Sequence, residues 1–136
     1  MNTNNWKQVL GESILIPRRS QEERQKTRLD SIKRLLRQTH IDGDLDASDT
    51  PITNLGNLES ISGDLDLHKT LITNLGNLES IDGDLDLHKT PITNLGNLTS
   101  VGRDLNLSNT PISKMNKLQR QEIVKNVKVK EEIIYD

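Results

Sequence analysis

Apolar and polar positions recur in phase every 20 residues along the middle of this chain. Four segments align at that period: IDGDLDASDTPITNLGNLES from 41, ISGDLDLHKTLITNLGNLES from 61, IDGDLDLHKTPITNLGNLTS from 81 and VGRDLNLSNTPISKMNKLQR from 101. Three are nearly identical and the fourth decays. A unit this small cannot bury an apolar face alone, so the copies must stack and share one core.

Within the second copy, Leu65 and Leu67 alternate with Asp64, Asp66 and His68, the period-two pattern of a half-buried strand with its leucines inward. Ile72, Leu75, Leu78 and Ile81 then recur in steps of three, with Asn74, Gly76 and Asn77 between them. That spacing suits tight turns or single turns of 3₁₀ helix better than a long α-helix. Stacking then predicts one parallel sheet, its strands about 4.8 Å apart, with turn-rich return segments across a narrow core.

The order Leu78, Ile81, Leu85, Leu87, Thr90, Ile92 resembles the leucine-rich repeat, in which alternating leucines on a short strand precede a buried polar residue and another aliphatic one. The resemblance covers about residues 41–118 and implies a leucine-rich-repeat solenoid. Two departures stand out. Thr50, Thr70, Thr90 and Thr110 occupy the place where the family usually has Asn, and the Ile-to-Leu spacing before the strand is one residue longer. The variant is similar to the short repeats of small bacterial and tailed-phage proteins, a likeness that assigns no activity.

The turn residues have structural readings. A Thr hydroxyl just after the strand is expected to bond the backbone of the adjacent coil. Pro51, Pro91 and Pro111 follow and fix φ, with Leu71 breaking the pattern. Gly43, Gly63 and Gly83 are expected to relieve a positive φ, the glycine moving to Gly102 in the last copy.

Charge divides the chain into three. Residues 1–40 hold nine Lys/Arg against four Asp/Glu, residues 41–112 three against 12, and residues 113–136 six against four. The first segment is a basic arm with a helix: Ser20 and Glu23 suit a capping box, and Leu29, Ile32, Leu35 and Leu36 form an apolar stripe to cover the first coil. Trp6, Val9, Leu10, Ile14, Leu15 and Ile16 lie ahead of it, as a strand, a short helix or an arm for a partner. The last segment reads as a half-coil, a short helix and a terminal strand in VKVKEEIIYD, together a second cap. With no Cys and no apolar run near the 18 residues of a membrane helix, the expectation is a cytoplasmic protein without disulfides or membrane contact.

Inward leucines force three registered columns outward: Asp44, Asp64, Asp84, Asp104; then Asp46, Asp66, Asp86, Asn106; then Ser48, His68, His88, Ser108. Seven carboxylates share that face, and their repulsion opposes folding. An Asp after a turn glycine can serve the turn, which leaves the first column open to either reading. The second column sits mid-strand, where Asp is a poor strand former and no local turn is expected to need it. Binding of a basic protein surface through Asp44, Asp46, Asp64, Asp66, His68, Asp84, Asp86, His88, Asp104 and Asn106 is the favoured reading, with whole-unit duplication as its rival. A phage-type inhibitor of a nucleic-acid-processing or defence enzyme would use such a face.

The alternative is nucleic-acid binding through Arg18, Arg19, Arg24, Arg28, Lys33, Arg34 and Arg37, charges that otherwise offset the acidic coils. For His68 and His88, duplication is preferred over a metal site or a pH-sensitive patch, so no metal ligand set is assigned. No phosphate loop or thiolate–histidine set is present, and repeated coils make poor asymmetric pockets. The expectation is a non-enzymatic module with no catalytic residues and no cofactor.

Overall fold

The computed structural model describes residues 21–136. Helix α1 (Gln21–Leu35) leads into a parallel solenoid consistent with a leucine-rich-repeat-like architecture. Each coil contributes two strands of two residues: β1 (His40–Ile41) and β2 (Leu45–Asp46), β3 (Ser60–Ile61) and β4 (Leu65–Asp66), β5 (Ser80–Ile81) and β6 (Leu85–Asp86), β7 (Ser100–Val101) and β8 (Leu105–Asn106). A 3₁₀ turn (Ile112–Lys114), helix α2 (Lys117–Val124), β9 (Lys128–Val129) and β10 (Ile133–Ile134) complete the chain.

These strands build two parallel sheets where the pattern predicted one. The odd-numbered strands run in the order β1-β3-β5-β7-β9 and the even-numbered ones β10-β8-β6-β4-β2. Ile81, which the step-of-three pattern assigned to the return segment, instead pairs in register with Ile61 and Val101. The corner between the two strands is tight. A Cβ on Gly63 would stand 2.6 Å from the backbone carbon of Gly43, and one on Gly83 would stand 2.9 Å from that of Gly63.

The glycines at this corner therefore serve close stacking of coils rather than the expected positive φ, which only Gly43 adopts (+91°). Gly102 is likewise crowded against the Asp82 carbonyl. Positive φ falls instead at Gly56, Gly76 and Gly96 on the return side, where Asn54, Asn74 and Asn94 each accept the glycine N–H through Oδ1. It falls also at Asp49, Lys69, Lys89 and Asn109 before the Thr column.

Leu58, Ile61, Leu65, Leu67, Ile72, Leu75, Leu78, Ile81, Leu85 and Leu87 are buried in one continuous core. The Thr column is buried with them, but its bonds run differently from the expectation. Each hydroxyl donates within its own coil, to the carbonyl three residues back: Thr50 to Ala47, Thr70 to Leu67, Thr90 to Leu87 and Thr110 to Leu107, at 2.6–2.8 Å. This fastens the turn that ends the strand and makes no bond to the adjacent coil.

Ile32 and Leu36 of the apolar stripe are buried, with Leu29 and Leu35 packed beside them. Carbonyls at the end of α1 are taken by the N–H groups of Leu36, Arg37 and Gln38, and coil one bonds the segment that follows, the N–H of Asn57 donating to Leu36 and those of Glu59 and Ser60 to Thr39. Ser20 of the capping box, and the apolar residues from Trp6 to Ile16, lie outside the described residues. At the far end the terminal segment forms two strands, one added to each sheet, with Val129 in register with Val101 and Ile133 with Leu105. Helix α2 opens with a capping box between Asn116 and Gln119, and Arg120 covers the ring of Tyr135 at 4.4 Å. No helix among the described residues is long and apolar enough to cross a membrane.

Candidate functional site: an acidic sheet face

The outward residues of the even-numbered sheet form the predicted columns, in phase from coil to coil. Asp46, Asp66, Asp86 and Asn106 are direct register partners. Asp44, Asp46, Asp64, Asp66, Asp84 and Asp86 line one shallow groove of about 290 Å³ over the strand segments of Leu45 and Leu65, whose side chains are buried in the core.

Both aspartate columns have backbone duties. In the first, Oδ1 of Asp44 accepts the N–H of Asp64 at 2.7 Å, Asp64 that of Asp84, Asp84 that of Asp104, and Asp104 that of Glu132. One carboxylate per coil thus carries a bond across the glycine corner, where the regular ladder is interrupted. In the second column, Oδ1 of Asp46, Asp66 and Asp86 accepts the N–H two residues on, at Ser48, His68 and His88. The expectation that no local turn needs these residues is corrected. The chain leaves the strand after two residues, and the Asp side chain replaces the lost ladder partner.

The second column also receives the third. Asp46 accepts the Ser48 hydroxyl at 2.6 Å, while Nδ1 of His68 and of His88 lies 2.5 and 2.8 Å from Oδ1 of Asp66 and Asp86. The hydroxyl and backbone N–H of Ser48, with the neighbouring charges of Arg28 and His68, hold the Asp46 carboxyl below its ordinary value against the opposing effect of burial. The two imidazole rings stack with centroids 4.8 Å apart. Ser48 itself is buried, not displayed.

Basic residues bound the face at both ends. Arg28 reaches from α1 to donate to the Ser48 and Asp46 carbonyls and to the Asp46 carboxylate. It is therefore tied to the solenoid while still exposed, as are Arg24, Lys33, Arg34 and Arg37 on or just after α1. Arg18 and Arg19 lie outside the described residues. At the other end Arg103 stands 3.8 Å from Asp84 and 4.0 Å from Glu131. Arg28 does what the other reading of the basic segment expected, offsetting an acidic coil, whereas the sequence pattern missed the Arg103 contacts and Asp49, whose carboxylate lies 3.6 Å from Nε2 of His68. The one signal for Arg103 was its place in the fourth copy, where the first three carry the glycine.

No protein-family model, curated protein or solved structure matches the chain.

Proposed function

We propose that this chain is a non-enzymatic interaction module whose acidic sheet face engages a basic surface on a partner protein. One observation carries the reading. Asn106 performs the second column's backbone duty without charge, its Oδ1 accepting the N–H and hydroxyl of Ser108 at 3.0 and 2.7 Å. The turn therefore requires an oxygen acceptor, not a carboxylate; Asp46 also pairs its charge with Arg28, while the charges of Asp66 and Asp86 exceed what the turn needs. Registered like charges around one groove raise the local concentration of a cationic partner and repel acidic competitors. A protein that handles nucleic acid presents such a cationic surface, and blocking it would make this chain an inhibitor of the phage type.

Immobilised wild-type chain and an Asp46→Asn, Asp66→Asn, Asp86→Asn variant are to be compared as baits in the same cell extract, with quantitative mass spectrometry. The expected result is a basic protein held by the wild type at low salt, released by roughly 0.5 M salt, where the screening length is only a few ångströms, and not held by the variant. Identical captured sets from both baits would sink the reading.

A second reading, nucleic-acid binding through the basic segment, is favoured by one cleft of about 350 Å³ in which Lys33 and Arg37 face Thr53, Asn54 and Asn57. Commitment of Arg28 to the solenoid weakens it. A salt-sensitive gel shift lost on changing Lys33, Arg34 and Arg37 would put it first.

A further inference from the structure

The His68–His88 pair is chemically distinct from the aspartates around it. Only the second and third coils carry histidine in this column, Ser48 and Ser108 occupying the same position in the coils on either side. Two imidazoles are thus presented once per chain, from successive strands, on a face already rich in carboxylates. One donor atom from each of His68, Asp86 and His88 lies within 4.8 Å of the other two, and all three residues are half-buried. Asp66 holds the His68 ring through Nδ1 at 2.5 Å, the kind of carboxylate–imidazole contact that orients a metal-binding histidine from behind. Asp86 is anchored through Oδ1 by the His88 N–H at 3.0 Å and lies 2.8 Å from Nδ1 of the His88 ring, and its Oδ2 takes part in neither contact.

We propose that His68, His88 and Asp86 bind one divalent transition-metal ion of the zinc class. Two nitrogen donors and one carboxylate select such an ion over calcium or magnesium, which favour all-oxygen shells. Bonds of about 2.0–2.1 Å to a tetrahedral ion place donors roughly 3.3 Å apart, so each pair must close by about 1.5 Å or less. Rotation about the χ angles of these partly exposed side chains supplies that movement without shifting the backbone, and water completes the shell. This site stands independently of the partner reading.

The test uses chain without a histidine tag, stripped of metal by a chelating resin. Zn²⁺ is titrated in competition with a chromophoric chelator against wild type and the His68→Ser, His88→Ser variant. Serine is the apt replacement because Asp46 and Asn106 already accept the N–H and hydroxyl of serine at this position. The expected result is one ion per wild-type chain and affinity at least tenfold weaker in the variant. No competition by the wild type, equal affinity in the variant, or displacement by millimolar Ca²⁺ would each overturn the proposal. Imidazole ¹⁵N spectra of the wild type give a readout that does not depend on the variant's folding: Zn²⁺ must shift the His68 and His88 signals and spare His40, which pairs with Ser60 and Asp42 instead. Equal shifts in all three, or none, would also overturn it.

Discussion

Replacing Asp66 by Asn and, separately, by Ala divides the acceptor role of the second column from its charge. Asp66 stands in register between Asp46 and Asp86. At the roughly 4.8 Å spacing of neighbouring strands, two unit charges repel by about 0.9 kcal/mol in water, and physiological salt reduces this by about half. Both variants remove the same repulsion from two neighbours, a gain of about 1 kcal/mol. Asn keeps an oxygen for the His68 N–H and ring, at the loss of a charge-assisted bond, so Asp66→Asn should lie within about 0.5 kcal/mol of wild type. Ala leaves a half-buried N–H without its acceptor and should be at least about 1 kcal/mol less stable than Asn. Urea unfolding at pH 8 measures both, and repeating it at low salt should move the two variants up together relative to wild type. If Asn is as damaging as Ala, the fold itself demands the carboxylate, and the inference that the charge serves a partner fails.

Three further expectations concern the fold beneath the site. Thr70→Val removes a buried hydroxyl bond while conserving shape and should lower stability by about 1 kcal/mol in the same assay; an unchanged midpoint would show that the Thr column fills space only. Gly83→Ala places a Cβ 2.9 Å from the Gly63 backbone and should lower stability by more than about 2 kcal/mol, whereas Gly76→Ala, with open space but φ of +56°, should cost only about 1 kcal/mol; equal costs would contradict the close-stacking account. The Asp46 carboxyl titrates below its ordinary 3.8, so its contribution is complete above that value and is lost as pH falls from 3.8 through the lower folded-state value. The stability advantage that the Asp46 carboxylate gives wild type over Asp46→Asn should therefore shrink on acidification from about pH 5 through 3.8 and below.

The alternation around Leu65 and Leu67 was enough to place the core, the outward columns and their register, because period-two burial and a strict 20-residue repeat leave one consistent stacking. What alternation could not show is the second sheet. Ser60 and Ile61 are too short a run to read as a strand, and only stacking in register makes them one. The split terminal strand was hidden for a related reason. Val129 and Ile133 repeat the four-residue step from Ile61 to Leu65, but α2 stretches the interval from Asp104 to Glu132 to 28 residues and so breaks the repeat period. The backbone bonds of the aspartates were out of reach because they depend on where the ladder lapses, and the reach of Arg28 depends on how α1 lies across the first coil.

Hydrogen–deuterium exchange on the chain with and without the partner captured by the wild-type bait tests most directly where binding occurs. The account predicts added protection at residues 44–48, 64–68 and 84–88, vanishing in high salt. Protection confined to the return segments at 53–57, 73–77 and 93–97, or to α1, would contradict it.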